Sequence, residues 1–316
     1  MNSHSQPALL SRRDCLTGAT AGALAASLPK FACGDEDEKH PWVDAHSHIW
    51  TRDIEKFPLA KGATLDDLAP PSFTAEELLK VAQRENVGRA VLIQHHTYHG
   101  WDNSYLIDAA RRYPDAFRVV GMVDNFSEAP GEQMRRLLKQ RVTGFRITPR
   151  IYGKRWLGGA MDQMWETAAA TNQKICCLID AEDIGAIDAM CKKHPAAPVV
   201  IDHFARIGVD GEIRKTDVDA LCNLARHKQT FVKISAYYAL GKKQPPYLDL
   251  VPMIRRLLDA FGVERTMWAS DSPYQIDGEH TYAASINLVH ERLDFLTEND
   301  RAWLMKKAAE RGFYFA

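Results

Sequence analysis

The chain has 316 residues, 46% of them hydrophobic and 26% charged, which excludes a disordered chain, a collagen-like fibre or a disulfide miniprotein and supplies enough apolar material for a sizeable core. Its 40 Lys and Arg stand against 41 Asp and Glu. No summed field would therefore draw it onto nucleic-acid phosphates or anionic lipid, and a small molecule is the expected partner. Six cysteines are too few for a disulfide scaffold at this length, and Cys176, Cys177, Cys191 and Cys222 are expected to be buried thiols.

The first forty residues differ from the rest. Ser11-Arg12-Arg13-Asp14-Cys15-Leu16 precedes an uncharged stretch from Cys15 to Pro29 rich in Ala, Gly, Thr, Ser and Leu, an export-signal pattern. At about fifteen weakly apolar residues the stretch is too short for a stable membrane anchor. Arg12-Arg13 with Leu16 three places on resembles a twin-arginine signal, although Cys15 stands where that signal usually carries Phe. Asp35-Glu36-Asp37-Glu38-Lys39 then reads as a solvated linker, with cleavage expected between Ser27 and Cys33. Residues 1–39 are thus a cleavable signal segment and linker, residues 40–316 the functional domain, and the expected location is the periplasm, or the cytoplasm if the signal does not operate.

From Trp42 onward a short apolar run alternates with an amphipathic segment. The runs are Trp42–Ile49, Ala90–His95, Phe117–Val123, Gly144–Thr148, Lys174–Ile179, Val199–Phe204, Phe231–Ser235 and Thr266–Ser270. Helical spacing marks Ala75–Glu85, Ser104–Tyr113, Gly131–Lys139, Met161–Thr171, Ala181–His194, Val218–Arg226, Leu248–Phe261 and Tyr282–Leu296. Runs such as Ala90-Val91-Leu92-Ile93 are apolar at successive positions, as strands covered on both faces are. Eight units averaging about 29 residues predict a closed (β/α)8 TIM barrel in a single α/β domain. An open doubly wound sheet usually has a glycine-rich turn after its first strand, and here that strand ends Asp44-Ala45-His46-Ser47-His48-Ile49-Trp50.

Barrel chemistry sits at the C-terminal strand ends. His46 and His48, two apart, share one face and make half of a metal site. Asp271 closes the apolar eighth run; an unpaired buried carboxylate is costly, and the eighth strand of a barrel lies beside the first, so Asp271 is expected near both histidines. His203, after Asp202, is a further ligand or the group that orients water. Lys233, among Phe231, Val232 and Ile234, needs an anion or acceptor. Arg146 and Arg150 suit a carboxylate or polarised carbonyl, the competing role for Arg146 being an ion pair with Asp180 or Glu182. Gln94, His95 and His96 close the second run, where alternation sends only one of the two histidines inward. Gln94, Lys233, Arg146 and Arg150 are the candidate substrate-binding residues.

Asp44-Ala45-His46-Ser47-His48-Ile49-Trp50, Gly144-Phe145-Arg146, Ile201-Asp202-His203 and Trp268-Ala269-Ser270-Asp271-Ser272-Pro273 together resemble the amidohydrolase superfamily, in its amidohydrolase-related (amidohydrolase 2) branch, over about residues 42–315. The resemblance implies a βα barrel with one divalent metal ion, zinc or alternatively manganese, held by His46, His48 and Asp271. It makes Asp271 and His203 the catalytic pair acting on water. The implied activity is opening of a lactone or related cyclic ester of a sugar acid or carboxylate; the alternative is nonoxidative decarboxylation of an aromatic or unsaturated acid. A third reading is a binding barrel without turnover. One departure is that the fifth run, Ile175-Cys176-Cys177-Leu178-Ile179-Asp180, lacks the family's further histidine. Asp180, His203 or water then completes the shell, or metal is held loosely or not at all, and the absent bridging lysine argues against a binuclear centre. The sequence leaves homo-oligomerisation open.

Overall fold

A computed structural model describes residues 40–314 of the chain; the expected signal segment and linker lie outside the described residues. Eight strands pair in parallel in chain order: β1 (Trp42–Ser47), β2 (Val87–Ile93), β3 (Phe117–Gly121), β4 (Val142–Ile147), β5 (Lys174–Cys177), β6 (Val199–Ile201), β7 (Thr230–Ile234) and β8 (Thr266–Trp268). Backbone bonds from His48 N to Ser272 O (2.8 Å) and from Asp271 N to His46 O (2.9 Å) join the segment after β8 to β1. This seam closes the TIM barrel anticipated from the repeat.

Eight helices alternate with the strands, α1 (Ala75–Gln83), α2 (Ser104–Arg112), α3 (Pro130–Leu138), α4 (Met161–Thr171), α5 (Ile184–Lys193), α6 (Lys215–Asn223), α7 (Val251–Phe261) and α8 (Tyr282–Asn287), and α9 (Glu298–Ala302) and α10 (Ala308–Phe313) follow. Local chemistry starts several of them. Thr74 caps α1 by accepting from Glu77 N while Glu77 reaches back to Thr74 N, and Pro130 opens α3 where its missing N–H costs nothing. Among the described residues no helix is long and apolar enough to cross a membrane.

Two apolar layers follow from strand alternation. The outward side chains, such as Leu92, Phe145, Ile175 and Val232, pack under the helices, whereas Val43, Ala45, Val91, Val120, Cys176, Val200 and Met267 fill the barrel interior together with Ala308, Ala309 and Phe313 of α10. Tyr314, just after α10, donates to Ala116 O before β3, which puts this helix at the N-terminal end of the barrel. The four thiols expected in the interior are free, three of them buried and Cys222 half-buried.

Differences from the expected elements concentrate at C-terminal strand ends. β6 stops at Ile201 rather than Phe204 and β8 at Trp268 rather than Ser270, because the polar residues that follow leave the ladder to form the barrel mouth. The helix expected over 282–296 keeps α geometry only to Asn287 and continues as a π turn, Leu288–Arg292. The mouth also holds non-glycine residues in the left-handed region: His203, Phe204, Ala205 and Arg206 in succession (φ 50, 55, 52 and 53°), Ala236 (57°) and Asp271 (71°). Each costs about 1–2 kcal/mol relative to right-handed backbone.

Candidate active site

β1 delivers two imidazoles to the mouth through a local irregularity. Val43 and Ala45 face the interior, and strict alternation would turn His46 outward. Between Asp44 and Ser47, however, the pairing with β2 slips: Asp44 lies opposite Ala90, and Ser47 opposite Leu92. The extra residue reverses the parity, and the rings of His46 and His48 meet edge to face with centroids 5.1 Å apart. Asp44 holds this bend. Its buried carboxylate accepts from His46 N (3.0 Å), Ser47 Oγ (2.7 Å), Ser270 N (2.9 Å), Ser270 Oγ and Tyr282 OH (2.6 Å), fastening β1, the end of β8 and α8 to one another.

The seam brings Asp271 against both rings. Its Oδ1 lies 3.4 Å from His46 Nε2 and 3.3 Å from His48 Nε2. His48 Nδ1 is 2.8 Å from Ile93 O, an acceptor only, so the ring proton sits on Nδ1 and Nε2 presents a lone pair. Burial pushes the His48 pKa down to about 3 and that of His46 well below the usual range, keeping both rings neutral at pH 7. Asp271 Oδ1 is buried with no hydrogen-bond donor. The lone pairs of His48 and Asp271 thus converge with no proton between them, and with His46 they fit a divalent metal ion. Arg146 Nη2, 2.7 Å from His46 Nε2, competes for the same lone pair.

His203 and Tyr238 attend the other oxygen of Asp271. Tyr238 donates to Oδ2 at 2.8 Å, and His203 Nε2 stands 3.8 Å from it, its Nδ1 meeting Ser235 Oγ at 2.8 Å. Burial lowers the His203 pKa to about 4 despite the nearby carboxylates. Burial raises the proton affinity of Asp271, opposed by His203 and by the Tyr238 hydrogen bond.

These groups open into a cavity of about 390 Å³, lined among others by His48, Arg146, His203, Tyr238, Asp271 and Tyr274. Gln94 and Arg150 also line it, Arg150 from the helical turn Pro149–Tyr152. The Gln94 amide donates to Gly100 O (3.3 Å) and Asp102 O, which holds the loop after β2. His95 and His96 both reach the cavity, contrary to strict alternation, because the chain leaves the strand at Ile93 and His96 begins a helical turn. His95 Nε2 lies 2.7 Å from Tyr274 OH.

Two expectations are corrected. Lys233 does not line the cavity: it is wholly buried, its Nζ 3.0 Å from Asp202 Oδ1, 3.3 Å from His46 Nδ1 and 5.1 Å above the Phe313 ring, toward the opposite end of the barrel. Alternation fixed the face of this long side chain but not the depth to which it reaches. Asp180 does not join the cluster, nor does it pair with Arg146; its partner is Arg206. Arg146 instead approaches Asp202 Oδ2 at 3.4 Å.

Asp202 is the centre that sequence reasoning passed over. It is fully buried between Lys233, Arg146 and His46, whose Nδ1 is 3.5 Å from Oδ1. Burial alone would raise its pKa, but Lys233, His46 and Arg146 together hold it well below the carboxylate range. The strand-end rule that selected His203 contains the signal for Asp202, one residue earlier. The same rule applied to Ser235-Ala236-Tyr237-Tyr238 would have flagged Tyr238.

Comparison with known proteins gives a consistent picture. Residues 43–315 match the family model described as Amidohydrolase. An L-fucono-1,5-lactonase of Burkholderia ambifaria is 26% identical over 237 residues, covering 73% of this chain and 80% of the relative. A 4-sulfomuconolactone hydrolase of Rhizobium radiobacter is 26% identical over 242 residues, covering 75% and 76%. In fold, the chain is similar to an amidohydrolase from Burkholderia multivorans solved with zinc bound, at a TM-score of 0.72 and 20% identity, covering 87% of this chain and 99% of that one.

Proposed function

The chain belongs to the amidohydrolase family, and from that premise we propose that it is a hydrolase that opens a lactone or related cyclic ester of a sugar acid or carboxylate. The observation that carries this reading is the donor-free Oδ1 of Asp271 facing two neutral imidazoles at the floor of a cavity of ligand size. Relatives named for lactone hydrolysis support it.

Within the site, His46, His48 and Asp271 would hold the divalent ion, zinc being our choice for a two-nitrogen, one-carboxylate donor set and manganese the alternative. When bound, such an ion polarises a carbonyl and lowers the pKa of water from 15.7 toward about 7. Asp271 receives a proton from the attacking water as oxygen bonds to the acyl carbon. It returns that proton to the ring oxygen as the ester C–O bond breaks. One carboxylate serves both steps because the leaving alkoxide stays tethered to the product. His203, oriented by Ser235, stays neutral and steadies the water at Asp271 Oδ2. Arg146 meets the carbonyl oxygen or a neighbouring carboxylate, and Gln94 and Arg150 position the remainder of the substrate. The twin-arginine-like segment supports export to the periplasm.

The test is turnover by the purified protein, chelated and then supplied with Zn²⁺ or Mn²⁺, of sugar-acid and carboxylated lactones, read by acid release. Aromatic acids are assayed in parallel for carbon dioxide. Lactone opening is the expected result; carbon dioxide release without it would replace the reading by the decarboxylase alternative, and no turnover of either class would overturn it.

A further inference from the structure

Tyr238 owes its place to its neighbour. After β7 the backbone passes through Ala236, in the left-handed region (φ 57°), into the single 3-10 turn Tyr237–Ala239. Tyr237 anchors that turn. It is fully buried, its hydroxyl donates to Ile234 O (3.1 Å), and its ring packs near those of Phe204 (6.2 Å between centroids) and Tyr247 (5.5 Å). Tyr238, the next residue, lines the cavity, with the rings of Tyr274 and His280 at 6.1 and 6.0 Å. Its hydroxyl donates to Asp271 Oδ2 at 2.8 Å.

The two oxygens of Asp271 are not equivalent. Oδ1 faces His46 and His48, which leaves Oδ2, beside His203, to accept the proton of an attacking water. The attacking oxygen and the ring oxygen of a lactone occupy different corners of one tetrahedral carbon. A fixed carboxylate oxygen aimed at the first is not aimed at the second. The Tyr238 hydroxyl extends the reach of Oδ2 by one hydrogen bond. A carboxylate only accepts, so the hydroxyl hydrogen points at Oδ2 before the reaction. A protonated Oδ2 donates, and the hydroxyl, free to rotate, then accepts from it and turns its own hydrogen toward the cavity. Protonation of Asp271 thus reverses the hydrogen bond and releases the tyrosine's hydrogen for a second acceptor.

We infer that Tyr238 is a further catalytic residue, the acid that protonates the leaving ring oxygen and is reprotonated by Asp271. The balance closes within these groups. Water gives a proton to Asp271 Oδ2 as its oxygen bonds to the acyl carbon. When the ester C–O bond breaks, its electron pair goes to the ring oxygen, which takes the hydrogen of Tyr238, and the phenolic oxygen takes the proton held by Oδ2. Carboxylate and hydroxyl are then as they began, and the product is the hydroxy acid. This deepens the lactonase reading and rests on it: Asp271 still takes and returns the proton, and Tyr238 is the route of return.

The experiment compares lactones that differ in the leaving oxygen. δ-Valerolactone and D-glucono-1,5-lactone release an alkoxide, which needs a proton as it departs; dihydrocoumarin, with the same ring size, releases a phenoxide, which departs without one. Tyr238→Phe keeps the ring and its packing. It is expected to lower kcat about 10²-fold or more on the first two, and less than about fivefold on dihydrocoumarin, whose turnover also shows that the variant is folded. A role confined to holding Asp271 in place would slow all three alike, since each needs the carboxylate to take the proton of water. Equal losses on all three, wild-type rates on all three, or a loss borne by KM alone would overturn the relay and leave the lactonase reading standing. Tyr274→Phe removes the other tyrosine hydroxyl of the lining and is expected to change the three rates by one common factor. A leaving-group contrast as large as that of Tyr238→Phe would overturn the assignment to Tyr238. Opening of none of the three by the wild-type protein would remove the lactonase reading, and the relay with it.

Discussion

Asp271 Oδ1 faces His46 and His48 with no hydrogen-bond donor of its own, and Oδ2 takes the Tyr238 hydroxyl. Asp271→Asn keeps the shape of the side chain and removes its ability to take and return a proton. We expect kcat to fall about 10²–10⁴-fold with an unchanged circular dichroism spectrum; a variant of near wild-type kcat would take Asp271 out of the chemistry. Lys233 supports the site from beneath. Lys233→Met leaves a buried Asp202 that has lost its 3.0 Å ammonium partner, and urea unfolding should register a loss of about 3–5 kcal/mol. A loss below about 1 kcal/mol would show that Arg146, at 3.4 Å, is enough to neutralise Asp202. His46, His48, His203 and Asp271 were legible in the sequence because a polar residue ending an apolar run has few ways to be satisfied. Lys233 was legible as buried but not as the partner of Asp202 beneath the cavity, since a flexible four-carbon stem can snorkel to either end of a barrel.

At the scale of elements, the repeat of apolar run and amphipathic segment was enough to fix eight βα units and their order, because parallel strands covered on both faces read as nearly continuous apolar runs. Three features escaped that reading. The slipped register of β1 at Asp44–Ser47 carries no composition signal, yet it decides which face His46 and His48 occupy. The left-handed turn at His203–Arg206 contains no glycine, Asn or Asp, so the surrounding packing has to hold it. The barrel seam depends on Asp44, whose five donors come from β1, the end of β8 and α8. Tyr282→Phe removes the one donor that α8 contributes, without disturbing the others. It should cost about 1.5–3 kcal/mol, the range for a hydrogen bond to a charged group, and leave kcat within about twofold. Denaturant unfolding and steady-state kinetics check the two halves. A stability loss below about 0.5 kcal/mol would mean that the seam does not depend on this helix, and a collapse of kcat would mean that α8 helps to set the catalytic geometry.

For the whole molecule, balanced surface charge and a buried polar centre give stability its pH dependence. His48 and His203 titrate near 3 and 4 in the folded chain against 6.5 in the unfolded one, both lowered chiefly by burial. The unfolded state therefore binds protons that the folded state refuses. The resulting stability is fully present above pH 6.5 and declines as pH falls toward the folded values, by up to about 1.4 kcal/mol per pH unit for each ring. Asp44 and Asp271, raised by burial, act in the opposite sense, their contribution being lost as pH rises through their folded values. The informative quantity is accordingly a difference between proteins. In chelated samples unfolded by urea at pH 7, 6 and 5, His203→Asn should reduce the slope of stability against pH below 6.5 by close to one proton, whatever its effect on stability at pH 7. Parallel slopes for wild type and variant would show that His203 is protonated in the folded chain at these pH values. The proposed role of His203 as a neutral imidazole steadying water at Asp271 would then have to give way to an imidazolium paired with the carboxylate.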